Sequence, residues 1–163
     1  MKRIFCLFMC MLVLNGCARQ APQETAQPQA PEETAQAEKQ EEKEEEKMLK
    51  MMIGDTAVNV VWEENESVDA LRELAAGEPL SIRMSMYGGF EQVGPIGTSL
   101  PRNDVQTVTD SGDIVLYSGN QIVVFYGSNS WAYTRLGHIS DRSQSEMREL
   151  LGNGDVTITL TAE

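Results

Sequence analysis

Beyond residue 17 this chain contains no cysteine; its three are Cys6, Cys10 and Cys17. That excludes disulfides, a thiolate nucleophile and a cysteine-ligated metal from everything downstream, so a folded part must be held by its own core. From residue 51 to the end there is no lysine, which excludes a phosphate-binding loop with its lysine. His138 is the only histidine. One histidine cannot build a histidine-rich metal site. No Gly-x-Ser-x-Gly elbow accompanies it for nucleophilic chemistry, so it reads as a surface or hydrogen-bonded histidine. Asp110-Ser111-Gly112-Asp113 lacks the calcium-loop pattern and reads as a β-turn. The methionines at 48, 51, 52, 84 and 86 read as core fillers. No metal and no cofactor are expected.

Positive charge is scarce. The formal net charge is −12, and residues 51–163 carry sixteen acids against six arginines. Nucleic acid and anionic lipid are poor partners for such a surface.

The first seventeen residues have a different character. Lys2 and Arg3 precede an apolar run from Ile4 to Leu14, then Asn15-Gly16-Cys17. The run is too short to span a bilayer as a mature helix and has the layout of a secretory signal peptide. Leu14 to Cys17 resembles a bacterial lipobox. The resemblance implies that Cys17 is acylated and becomes the N-terminus after cleavage, holding the protein on the cell membrane or the outer membrane, outside the cytoplasm.

Residues 18–47 have almost no large apolar side chains. They cannot bury enough surface to offset their ordering entropy and are expected to form a disordered tether. Ala21–Gln29 and Ala30–Glu38 are two similar nine-residue copies, followed by a charge run from Glu38 to Lys47. A flexible chain of this length has an end-to-end distance of about 30 Å.

Residues 48–163 suit one domain, mostly β. Apolar runs at 48–53 and 56–62 flank Gly54-Asp55 as a hairpin. A helix is expected over 67–77, capped by Ser67 and stopped by Gly77. Residues 80–87 alternate, with Ile82, Met84 and Met86 on one face. Residues 88–102, rich in glycine and holding Pro95 and Pro101, read as a loop. Residues 105–109 alternate weakly. The runs 114–117 and 122–126 are apolar on both faces and so read as central strands. A second helix is expected over 141–151, stopped by Gly152-Asn153-Gly154, and a clean alternating strand over 155–162. This pattern suggests a closed or nearly closed barrel with helices over its ends.

Two segments carry a family resemblance. One is Met86-Tyr87-Gly88-Gly89-Phe90-Glu91-Gln92-Val93-Gly94, with Ile96-Gly97 and Ser99-Leu100-Pro101 after it. The other runs from Gly112 through Tyr117-Ser118-Gly119-Asn120-Gln121 to Gly127, then Asn129-Ser130-Trp131 and Tyr133 to Ile139. Together they resemble the bacterial cyclophilin-like family, over essentially all of residues 48–163. The resemblance implies a mainly β domain, a cyclophilin-like closed barrel of about eight strands with two short helices, and no settled activity. True cyclophilins isomerise X-Pro bonds with a strand arginine that follows a Phe-His pair. Here Ser81-Ile82-Arg83-Met84 has no such pair before Arg83, and Arg83, Phe90 and Gln92 imitate the catalytic group only at a looser spacing.

The aromatics Tyr87, Phe90, Tyr126, Trp131 and Tyr133 gather in and beside loops, where a rigid barrel suits them to a binding groove or to closing the barrel mouth. Glu91 and Arg135 are placed to fix a polar ligand, to pair with each other or to cap backbone groups. The expected function is a membrane-anchored, extracytoplasmic binding module for a peptide, a protein segment or a small molecule. The alternative is a divergent peptidyl-prolyl isomerase acting on exported proteins. Relatives fused to flavodoxin-like domains imply a third reading, a partner module for a redox protein.

Overall fold

The computed structural model describes Met48–Glu163. Cys17, where a lipid is expected, and residues 18–47, expected as a tether, lie outside the described residues. The domain has ten strands and two helices in the described residues. The first hairpin pairs β1 (Leu49–Ile53) with β2 (Thr56–Val58). Gly54 turns it with a φ of 55°, a conformation glycine adopts without strain. The second apolar run does not continue as one strand. It bends at Asn59, and β3 (Val60–Trp62) joins a different neighbour.

Helix α1 covers Glu66–Leu74. Its cap is Asn65, two residues earlier than Ser67, because the Asn65 side chain accepts from the amides of Ser67 and Val68 at 3.1 and 3.0 Å. The Ser67 hydroxyl is spent elsewhere, donating to the Pro101 carbonyl at 2.7 Å. The helix ends before Gly77, with Ala75 as its C-cap. Val68 and Leu71 are fully buried from this helix, each contributing about 1.5–3 kcal/mol by leaving water.

The sheet continues through β4 (Leu80–Tyr87), β5 (Glu91–Pro95), β6 (Val105–Val108), β7 (Asp113–Tyr117), β8 (Gln121–Phe125) and β9 (Ser130–Ile139). Helix α2 (Gln144–Leu151) follows, opened by a capping box between Ser143 and Glu146 and closed at Gly152. It starts later than the expected 141, because Asp141 instead accepts from the Asn59 amide and pairs with Arg142. The last strand is β10 (Val156–Ala162).

Strand order is β2-β1-β10-β4-β5-β8-β7-β9-β3, all antiparallel, with β6 pairing to β9 off this path. The path is a nearly closed barrel. Its two ends are consecutive in the chain, since β2 and β3 are separated only by Asn59. A side chain bridges the seam: Trp62 Nε1 donates to the Leu49 carbonyl at 2.7 Å. The backbones of Met48 and Glu163 also meet, through hydrogen bonds in both directions beside β1 and β10.

The interior holds one apolar cluster that includes Met51, Ile82, Met84, Ile114, Leu116, Ile122, Val124, Leu136, Met147, Leu151, Ile158 and Leu160. A smaller second cluster, Val115, Val123, Phe125 and Tyr133, lies on the outward face of β7, β8 and β9. Of the methionines expected inside, Met51 and Met84 are buried, whereas Met48, Met52 and Met86 are exposed.

Two elements depart from the sequence expectation. Residues 91–95, expected as loop, form β5, a central strand paired to both β4 and β8. Gly94 is required there by close approach: a Cβ would meet Met84 Sδ at 2.4 Å and the Arg83 carbonyl oxygen at 2.7 Å. The segment 130–139 forms β9, the longest strand. Its N-terminal half pairs with β6 and its C-terminal half with β7 and β3.

Candidate functional site

Tyr87-Gly88-Gly89-Phe90 is the turn between β4 and β5. Positive φ at both glycines, 61° and 76°, is the signature of a type I′ turn. The Phe90 carbonyl then accepts from the amides of Tyr126 and Gly127, at 2.9 and 3.0 Å, which pins the turn onto the end of β8. Gly127 permits this contact, because a Cβ there would lie 2.7 Å from Phe90 Cβ.

The next residue, Glu91, opens β5 opposite Tyr87 on one side and Phe125 on the other. Alternation then sends Glu91 and Val93 to the outer face of the barrel wall. That face bears a cavity of about 450 Å³, lined by Tyr87, Glu91, Val93, Tyr117, Gln121, Val123, Asn129, Trp131 and Tyr133. Its volume suits a small ligand. Val93 and Val123 face each other across the β5–β8 ladder. Tyr133 packs edge-on against Tyr117 and Phe125, with ring centres 6.1 and 5.8 Å apart. Trp131 and Tyr87 stand at the rim, 56% and 67% exposed.

Glu91 is the charged residue of this lining. It is only 5% exposed, and its Oε2 has no hydrogen-bond partner among the described residues. Burial disfavours the anion and pushes its pKa up to about 7. The Tyr133 hydroxyl accepts from Asn129 Nδ2 at 3.0 Å. Its pKa is raised by burial first and by the Glu91 charge second. A carboxyl balanced near neutrality in an aromatic cavity can accept a hydrogen bond, hold a cation or exchange a proton.

Of the expected ligand-binding residues, Tyr87, Glu91, Trp131 and Tyr133 come together in this cavity. Phe90 does not line it; the ring packs beneath, against the outward apolar cluster. Tyr126 belongs to the interior core. Arg135 is held to one side, where its Nη2 donates to Asp113 Oδ1 at 2.9 Å and its Nε lies 3.6 Å from Glu63. It does not pair with Glu91. Asp113 is a buried hub: His138 Nδ1 also lies 2.9 Å from Oδ1, and Oδ2 accepts from the Asp110 amide. His138 is thus a hydrogen-bonded surface histidine, and Asp110–Asp113 is closed as a turn by the Asp113 amide.

The isomerase reading needs Arg83, Phe90 and Gln92 at one place, and the fold separates them. Arg83 is exposed on β4 and is not part of the cavity lining. Gln92 points the opposite way from Glu91, into the barrel. Its Nε2 donates to the Leu151 and Gly154 carbonyls, both at 2.7 Å, tying down the end of α2. Val93, Tyr117, Gln121, Val123 and Asn129 complete the cavity and were not singled out in the sequence. For Tyr117 and Val123 the signal is the two-faced apolarity of β7 and β8, since one face fills the barrel and the other floors the cavity. Among the described residues no group of acidic, histidine or cysteine side chains is placed to hold a metal ion.

The comparisons agree with this architecture. The profile described as the cyclophilin-like family matches residues 51–161. No curated protein shows significant sequence similarity to the chain. The solution structure of a hypothetical protein from Archaeoglobus fulgidus is similar, with a TM-score of 0.50 at 15% identity over 72% of this chain and 95% of that one. That likeness speaks for the fold alone. The chain belongs to the cyclophilin-like family.

Proposed function

We propose that this protein is a lipid-anchored, extracytoplasmic binding module that receives a small ligand or a peptide side chain in the outer-face cavity. One observation carries the binding reading: the Glu91 carboxylate is buried in an aromatic cavity with an oxygen left unpaired. A buried polar atom without a partner costs roughly 1–3 kcal/mol. Among the described residues the wall gives that oxygen no donor, and a ligand that donates to the Glu91 carboxylate offsets the cost of burying it. The anchoring part rests on Lys2, Arg3, the apolar run and the lipobox-like ending at Cys17.

Two experiments test it. Mass spectrometry of the protein from membranes is expected to find diacylglycerol on Cys17 as the new N-terminus; an unmodified Cys17 removes the anchor. Screening of small fragments and short peptides by 1H–15N NMR is expected to give shifts confined to the cavity residues and the Trp131 indole. Shifts that cluster elsewhere, or no shifts from the whole library, refute the cavity as the binding site.

A further inference from the structure

The lining of the cavity specifies more than its size. It contains one carboxylate, four aromatic residues, two valines and the two neutral amides of Gln121 and Asn129, and among the described residues no lysine, arginine or histidine lines it. A ligand carboxylate or phosphate therefore meets like charge and no counter-charge. The Glu91 carboxylate lines the cavity and, among the described residues, nothing donates to its Oε2, so the ligand that complements it is a donor. Aromatic walls attract cations through their ring quadrupoles and cover methylene groups well. Residues 51–163 hold sixteen acids and six arginines, so the field of the whole domain concentrates cations and repels anions. The rim residues Trp131 and Tyr87 are exposed, which leaves the mouth open to an extended side chain.

We propose that the cavity is selective for a primary alkylammonium group, whose N–H donates to the Glu91 carboxylate while its methylenes lie against Tyr133, Trp131, Val93 and Val123. This rests on the reading of the cavity as a binding site and names the chemistry it selects. A lysine side chain of a peptide and a free small amine present the same group. The remaining titratable groups that face Glu91 across the cavity are the phenols of Tyr87 on β4, Tyr117 on β7 and Tyr133 on β9.

The test uses the full chain in a non-ionic maltoside micelle, since phosphocholine detergents would themselves offer a quaternary ammonium. The probes are n-butylammonium, Nα-acetyl-lysine amide and its neutral isostere Nα-acetyl-norleucine amide, at millimolar concentration, read by 1H–15N shifts. Amines are expected to shift the cavity amides and the Trp131 indole, with the norleucine derivative about tenfold weaker or worse. Glu91→Gln is expected to weaken amine binding by about tenfold or more, with Arg83→Ala as an unaffected control. Affinity of the unaltered protein for the amines is expected to rise between pH 6 and pH 8, as Glu91 ionises, and this reading does not depend on how the variant folds. A lysine derivative that binds better than butylammonium assigns the group to a peptide; equal binding assigns it to a free amine. Either supports the proposal. Norleucine amide binding as tightly as lysine amide, affinity flat with pH, or no shift from any amine overturns it. In those cases hits from the fragment and peptide library still decide whether the cavity binds a ligand of another chemistry.

Discussion

Glu91 and Gln92 are neighbours in the chain and lie on opposite sides of the barrel wall. The Gln92 amide locks α2 to the barrel from inside, and the Glu91 carboxylate faces the outer cavity. Their roles separate cleanly in experiments.

Glu91 makes stability depend on pH. Its carboxyl has a pKa of about 7 in the folded domain against an ordinary 4.5. Below 4.5 it is protonated whether folded or unfolded, and it costs nothing. Between 4.5 and 7 the unfolded chain ionises first, so the folded state loses stability as pH rises. Above 7 the loss levels off, on the order of 3 kcal/mol. Urea denaturation of the unliganded protein and of Glu91→Gln at pH 4.5 and pH 8 measures this. The variant is expected to lack most of the decline. An equal decline in both proteins places the titrating group elsewhere.

Gln92 is structural. Gln92→Ala leaves two carbonyls without their donor inside the barrel and is expected to cost about 2–4 kcal/mol in urea denaturation. Arg83→Ala, at an exposed strand position, is expected to change stability by no more than about 0.5 kcal/mol. A larger effect at Arg83 than at Gln92 would reverse this assignment.

Gly94 tests the packing of β5 against β4. Gly94→Ala puts a methyl into Met84, Ile82 and the Arg83 carbonyl. The cost is expected to be about 1–3 kcal/mol, with the interstrand amides of β4 and β5 exchanging faster than before. An unchanged melting temperature contradicts the close approach.

Trp62 tests the seam. Trp62→Phe keeps a ring but removes the donor to the Leu49 carbonyl. A loss of about 1 kcal/mol is expected, together with faster hydrogen exchange at the amides of β1 and β3. Protection unchanged at both strands means that the seam is held by other contacts.

Much of the barrel was legible in the chain. The hairpin at Gly54-Asp55, the alternation of β4 and β10, and the apolar runs of β7 and β8 are local patterns, and local patterns survive into the fold. β5 was hidden because Gly94 and Pro95 read as loop punctuation; in the barrel Gly94 admits a neighbouring strand and Pro95 projects outward. β9 was hidden because its two halves have different partners, so no single alternation runs its length. The cavity was half legible. Aromatics near glycines marked Tyr87, Trp131 and Tyr133, but the same rule marked Phe90 and Tyr126, whose side chains pack into apolar clusters.

Composition and spacing by themselves determined the charge of the domain, its lack of disulfides and its strand-rich character. Those are sums over residues or short-range periodicities, which need no knowledge of partners. The tertiary structure alone decided which of Glu91 and Gln92 faces the cavity, that Arg135 is committed to Asp113, and that Arg83 stays outside the site. Each of these turns on strand register, and register is set by contacts between residues far apart in the chain.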